Sequence, residues 1–274
     1  MCLASHFIDN NWKLQKRILN FLQVTNYTGE IMAKTVKQCL NGWELGHVLS
    51  VTMDNASLNY IGIQYLKRWL LSQNGLVLNG EYLHTRCCAH VLNLIVKDGM
   101  SLINVYILRI RGAVKYVRRS SSRFHRFKKC IDLELNYKDY AGLDSKTRWN
   151  STYTMLNVAL KHEKTFTEFE FKYQKYVNEV NKEKDVPTPK DWEHVALILP
   201  FLKLFHEATV SGSSYLTSNL YMFEVFGVKM KIVEMSNNED EKAKSMVKKM
   251  KAKYEKYWGD PTCLNMLLIA IVLH

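Results

Sequence analysis

Asp54 stands where the apolar run Val48-Leu49-Ser50-Val51-Thr52-Met53 stops and Asn55-Ala56-Ser57 leads into a helical pattern. A carboxylate mounted at a strand end is one way to hold a divalent metal ion. The same Asp54, or Ser57, would serve equally well as the cap of the following helix. A second group of reactive side chains, His84, Cys87, Cys88 and His90, lies in Leu83-His84-Thr85-Arg86-Cys87-Cys88-Ala89-His90. These are zinc-ligand types, but no second ligand pair follows at zinc-finger spacing, and on a strand Cys87 and Cys88 would face opposite ways. Thiols beside a site-lining histidine, with no metal, are therefore expected there.

The third stretch is basic. Arg109, Arg111, Lys115, Arg118, Arg119, Arg123, Arg126, Lys128 and Lys129 fall within 21 residues that contain no acid, with Tyr116, Phe124, His125 and Phe127 among them. Ser120-Ser121-Ser122 interrupts the run. Guanidinium and ammonium groups neutralise phosphates, and hydroxyls donate to phosphate oxygens, so the composition suits a nucleic-acid backbone. The plain alternative is a solvated helix face and loop, although nine like charges repel unless something matches them. In Thr147-Arg148-Trp149-Asn150-Ser151, Asn150 or Ser151 can cap a helix. Arg148 and Trp149 there could also hold a phosphate and stack on a base.

Elements must position these groups, and the chain is long enough to build them. Its 274 residues are 47% hydrophobic and 23% charged, the balance of a folded soluble chain rather than a disordered one. The net charge is +12, which favours a polyanionic partner, nucleic acid ahead of membrane. Six scattered cysteines form no paired framework, as expected of reduced thiols in a cytosolic or nuclear compartment. The N-terminal apolar run is too short for a signal peptide, and the ten residues Leu264–Leu273 are too few to span a bilayer.

Periodicity predicts strands over Leu3–Ile8 and Trp12–Val24 around an Asp9-Asn10-Asn11 turn, then a helix from Gly29 to about Leu45. A strand over Val48–Met53, a helix over Leu58–Ser72, a strand over Tyr82–Ala89 and a helix over His90–Asp98 complete an α/β beginning. After Gly99 only helical patterns recur: Ile103–Arg119, a long aromatic-rich Thr152–Asn178, one capped by Asp191, then Thr217–Met235 and Glu239–Trp258. The Lys-rich last helix alternates with acids and reads as a solvated face. The expected fold class is α/β plus all-α, with residues 1–100 forming the α/β part and 101–274 the helical region.

Three stretches together, Val51–Asn59, Arg86–Gly99 and Thr147–Tyr153, resemble the plant hAT transposase family, nearest its ricesleeper-type, zinc-finger-BED-containing members. Leu202-Lys203-Leu204-Phe205, Thr217–Tyr221 and Lys256–Gly259 extend the likeness, and 192–274 resembles the family's RNase-H-fold segment. The resemblance implies a ribonuclease-H-like core with a helical insertion, and DNA cleavage by three acids holding Mg²⁺ or Mn²⁺. Asp54 matches the second acid, Cys87 and His90 match a Cys-x-x-His motif lining the site, and Trp149 matches a tryptophan that stacks on a flipped base.

By the same resemblance, the first acid and its strand would lie upstream of Met1–Phe7, and the third after His274. The expectation is thus a chain truncated at both ends, with a partial core lacking its first strand and Asp54 as a relic. Such a chain needs no cofactor, is no enzyme, binds DNA in the nucleus, and has no membrane partner. Two alternatives follow. One is an interaction module that pairs with full-length hAT relatives, and the other is an active transposase whose missing acids lie in flanking sequence.

Overall fold

The computed structural model describes residues 1–24, 26, 28–131, 139–145, 148–213, 218–237 and 239–259. Thr147, Thr217 and the apolar run Leu264–Leu273 lie outside the described residues. The chain divides into two compact units, with the boundary between Val91 and Leu92.

In the first unit, β1 (Cys2–Ile8) and β2 (Leu14–Phe21) form an antiparallel hairpin in which Cys2 faces Phe21 and Ile8 faces Leu14. Asp9 makes its turn: Oδ1 accepts the N–H groups of Asn11 and Lys13, both at 2.9 Å. Helix α1 (Gly29–Gly42) starts at Thr28, whose hydroxyl accepts the Ile31 N–H. It packs on α2 (Ser57–Ser72) through two glycines. A Cβ on Gly29 would stand 2.7 Å from the Gly62 nitrogen, so no larger residue fits without parting the helices. Strand β3 (Val51–Met53) runs parallel to β4 (His84–Arg86), with Val51 beside His84 and Met53 beside Arg86.

Ala33, Val36, Leu40, Ile63, Leu66, Leu70 and Leu83 form this unit's core, with Met1, Leu3, Val48, Val51 and Met53 packed against it. Among the described residues the hairpin and the β3–β4 pair are two separate two-stranded sheets. The predicted strands over Val48–Met53 and Tyr82–Ala89 are shorter here. Val48 makes only an isolated bridge to Leu76, and the chain turns helical at Cys88, so Cys88 belongs to α3 (Cys88–Met100) and not to a strand.

Every regular element among the described residues of the second unit is a helix, including α4 (Asn104–Arg118), α5 (Ser121–Lys128), α6 (Trp149–Lys161), α7 (Glu163–Lys172), α8 (Gln174–Glu183), α9 (Pro189–Ser213), α10 (Ser218–Ser236) and α11 (Glu241–Tyr254). Ile107, Ile110, Ala113, Val114 and Val117 give α4 a buried stripe at helical spacing. The predicted single helix Thr152–Asn178 is three helices. His162 and Tyr173 leave helical backbone geometry, and the His162 ring is buried with Nε2 2.8 Å from the Asp139 carbonyl oxygen. These breaks let Phe166, Phe169 and Tyr176 gather with Phe127 and Tyr116 in one aromatic core. Asp191 lies within the first turn of α9. Its carboxylate reaches back to the Thr188 N–H at 2.7 Å and accepts the Thr188 hydroxyl at 2.8 Å, so the chain enters the helix at Thr188.

Candidate functional site

Two groups of chemistry-bearing residues emerge, one in each unit. In the first, parallel β3 and β4 end side by side, because the Cys87 N–H continues the ladder to the Met53 carbonyl at 2.8 Å. Crevices outside the carboxyl ends of parallel strands are where α/β folds receive ligands. Asp54 is exposed there. Its Oδ1 accepts the Ala56 N–H at 3.0 Å and the Asn59 side-chain amide at 2.5 Å, a local turn that leads into α2. Asn59 went unmarked as a candidate, although it lies within the stretch that carries the family resemblance.

Cys87 and His90 are half-buried at the start of α3. His84 sits at the other end of β4 with Tyr60 tilted over it at 6.5 Å, and its buried Nε2 has no partner among the described residues. Burial, helped by the nearby Arg86 charge, lowers its pKa and favours the neutral ring. Among the described residues Asp54 is the one carboxylate that directly follows β3 or β4, and no trio of His, Cys, Asp or Glu is placed to hold a metal. This donor set does not fit a two-metal centre, which needs several oxygens per ion.

In the second unit the basic run divides. Arg111 reaches Asp144 with two nitrogens, Nε to Oδ1 at 2.8 Å and Nη2 to Oδ2 at 2.6 Å, while Thr152 donates its hydroxyl to the same carboxylate at 2.7 Å. The Asp144 side chain is 2% exposed. Burial alone would raise its pKa, but the hydrogen bonds from Arg111 and Thr152 outweigh that and hold the carboxyl below the usual carboxylate range. Arg109 bridges Asp185 at 2.9 Å and the buried Asp191 at 3.2 Å. Arg123 pairs with Glu179 at 2.6 Å and lies over the Tyr116 ring, and Lys115 meets Glu183 at 3.3 Å. These four cations, expected to face phosphate, are neutralised by acids that lie 56 to 82 residues away in sequence, or 33 for Arg111.

Arg118, Arg119, Arg126, Lys128 and Lys129 are exposed, and among the described residues none of them meets a carboxylate. They cluster at the ends of α4 and α5. Arg118 and Lys128 both lie 4.7 Å from the Phe124 ring, and Lys128 is also 5.0 Å from Tyr140. Ser120, expected to offer its hydroxyl to phosphate, instead accepts the Arg123 N–H as the cap of α5.

Arg148 is exposed at the N-terminus of α6, and no side-chain cap is made there. Trp149 does not present its ring as expected. It is 6% exposed and packs edge-on to His206, because it is the first core residue of α6 rather than a residue of the preceding loop. Ser151, a candidate cap, binds back to the Ser145 backbone instead.

Three family models match the chain: a ZBED1 RNase-like domain over residues 1–82, a ZBED1 RNase-like helical domain over 85–201, and an RNase-H-fold hAT-like transposase over 219–274. RICESLEEPER 2 of Oryza sativa subsp. japonica, a zinc finger BED domain-containing protein, is 30% identical over 99% of this chain. A putative AC transposase of Zea mays is 30% identical over 94% of it, and DAYSLEEPER of Arabidopsis thaliana 28% over 99%. The chain belongs to the hAT-like transposase family. It spans 37%, 32% and 38% of those three relatives, about a third of their length. This hAT-like chain is mostly helical; its RNase-like match over residues 1–82 holds Asp54, whereas Cys87 and His90 fall at the start of the helical-domain match. No single described helix is long and apolar enough to cross a membrane.

Proposed function

We propose that this chain is a DNA-binding, catalytically incomplete hAT-transposase-like protein. The observation that carries the reading is the exposed cluster Arg118, Arg119, Arg126, Lys128 and Lys129, without a carboxylate partner among the described residues. Cations at a helix C-terminus suit the helix dipole, which accounts for some of them. It does not account for two cations sharing one Phe124 ring, a mutual repulsion that an arriving phosphate would relieve. Binding of this kind is backbone-directed, salt-sensitive and low in sequence preference. Arg148 is a further phosphate contact on this reading, whereas Trp149 would first have to leave its core position to meet a base. Nuclear location follows from the same reading.

Incompleteness rests on Asp54, whose Oδ1 is occupied by its own turn and which, among the described residues, belongs to no group of three possible metal ligands. The Arg118→Glu/Arg119→Glu variant should weaken binding to a random duplex at least about tenfold at ~100 mM salt. Unchanged affinity would remove the DNA-binding claim. The purified chain should not nick duplex DNA in Mg²⁺ or Mn²⁺, and nicking abolished by Asp54→Ala would overturn the claim of incompleteness.

One observation favours a second reading. The matched relatives carry about two-thirds of their length outside the region shared with this chain. An intact relative, or additional sequence, could then supply the acids that Asp54 lacks, or pair with this chain as a modulator. Pull-down by an intact relative without any gel shift on duplex DNA would favour that module.

A further inference from the structure

Two of the three serines in the basic run are not used by the fold. Ser120 caps α5, its hydroxyl accepting the Arg123 N–H at 3.2 Å and its backbone extended at φ −151° and ψ 149°. Ser121 and Ser122 are exposed in the first turn of that helix, and among the described residues neither hydroxyl has a hydrogen-bond partner. Arg118 and Arg119 stand three and two residues before Ser121, and both are exposed. The buried residue of α5 is Phe127, in its last turn, whereas the first turn is held by the Ser120 cap, the Arg123–Glu179 pair and the contact of Phe124 with Tyr140. A short helix with its anchor at the far end opens readily at the near one.

We infer that Ser121 is a phosphorylation site for a basophilic protein kinase, and that its phosphate switches off duplex binding by the neighbouring cations. The switch rests on the DNA-binding reading above, whereas the site does not. An acidic kinase cleft reads guanidinium groups just upstream of its acceptor, and Arg109–Lys129 holds no acid to oppose it. Among the three hydroxyls, Ser121 alone has two arginines at that remove and is free of the cap. Ser122 has Arg119 followed by two serines, and Ser120 is engaged with Arg123. The reaction consumes ATP: the bond from phosphorus to the Ser121 Oγ forms and the bond to the departing ADP breaks. The hydroxyl proton passes to the catalytic base of the kinase.

Placement gives the effect. Ser121 and Phe124 are three residues apart and so are neighbours on one side of α5, and Lys128, seven residues on, returns to nearly the same side. Arg118 and Lys128 both lie 4.7 Å from that Phe124 ring. A phosphoserine carries about −1.5 to −2 charge and three acceptor oxygens at pH 7, so at position 121 it offers these two cations charge-assisted hydrogen bonds within the chain. The first turn of a helix favours negative charge, so α5 keeps its fold. An approaching duplex then meets cations already neutralised, with a like charge among them.

Phosphosite mapping by mass spectrometry and fluorescence anisotropy on the full chain test the two halves separately. The catalytic subunit of cAMP-dependent protein kinase, with ATP, should label Ser121, and Arg118→Gln/Arg119→Gln should slow that labelling at least about tenfold. The phosphorylated chain should bind a random duplex at least about tenfold more weakly than the unmodified chain at ~100 mM salt, with a salt slope lower by about 2. Ser121→Ala treated with the same kinase should stay within about twofold of the unmodified chain, and Ser121→Asp should bind about threefold more weakly with no kinase at all. A chain left unlabelled at Ser121, or labelled as fast without the two arginines, overturns the site. A labelled chain that binds duplex as the unmodified one does overturns the switch. An unmodified chain with no duplex affinity sinks the DNA-binding reading and the switch together, and the Ser121 site is then decided by its labelling.

Discussion

Arg111 and Arg118 lie seven residues apart on α4, which puts them on nearly the same side of the helix, yet their surroundings have little in common. Arg111 is 16% exposed and clasps the buried Asp144 with two nitrogens while Thr152 completes the carboxylate. Arg118 is exposed, lies over Phe124 and shares that ring with Lys128. The first arginine ties α4 to α6 and the 139–145 segment. The second adds charge where nothing among the described residues neutralises it. A basic run is therefore two things at once, and only the acids that the fold delivers tell which residue does which.

The largest effect expected is on stability. Asp144→Asn removes one partner of a largely buried pair and should cost about 3 kcal/mol in urea unfolding, whereas Arg118→Met should cost no more than about 0.5 kcal/mol. Equal costs would erase the distinction. The pH dependence has a definite sign. The folded pKa of Asp144 lies below the unfolded value, so its contribution is present above about pH 4 and is lost as pH falls through the folded value. Asp144→Asn should flatten that acid loss, and an unchanged acid limb would show that the pair carries little.

A smaller effect is expected at His206, which packs against Tyr153 and Trp149 on the same α6 that carries Thr152. Burial lowers its pKa from the ordinary 6.5. The unfolded chain then takes up the proton first, and stability should decline as pH drops below about 6.5. His206→Phe should remove that slope, and a slope that persists would place its origin elsewhere. The smallest effect belongs to Lys115→Ala. Lys115 and Glu183 are both more than half exposed, so unfolding should change by less than about 0.5 kcal/mol. A larger change would promote that pair to the class of Arg111.

Much of the fold was legible locally. The α4 stripe, the Asp9 turn and the order of strands and helices up to α3 follow from periodicity and turn chemistry, and the hAT likeness was carried by short stretches around Asp54, Cys87 and Trp149. What stayed hidden depends on distant partners. Nothing near His162 announces a break, because its ring is fixed by the Asp139 carbonyl, 23 residues away. Nothing near Arg109 announces Asp191, 82 residues on. Trp149 reads as a loop residue until α6 is seen to begin with it and to bury it against His206. Asp54 shows the opposite limit: its turn to Ala56 and Asn59 is local enough to foresee, and that turn leaves both the cap reading and the ligand reading possible in sequence.

The dependence of duplex affinity on salt tests the division most directly. Fluorescence anisotropy from about 50 to 300 mM salt should give a slope in log Kd against log salt that drops by about 4 when Arg118, Arg119, Arg126, Lys128 and Lys129 are all changed to alanine. Lys115→Ala should leave the slope within about 0.5 of the natural chain. A five-alanine slope equal to that of the natural chain, or an equal drop from Lys115→Ala alone, would contradict the assignment of phosphate binding to the unpaired half of the run.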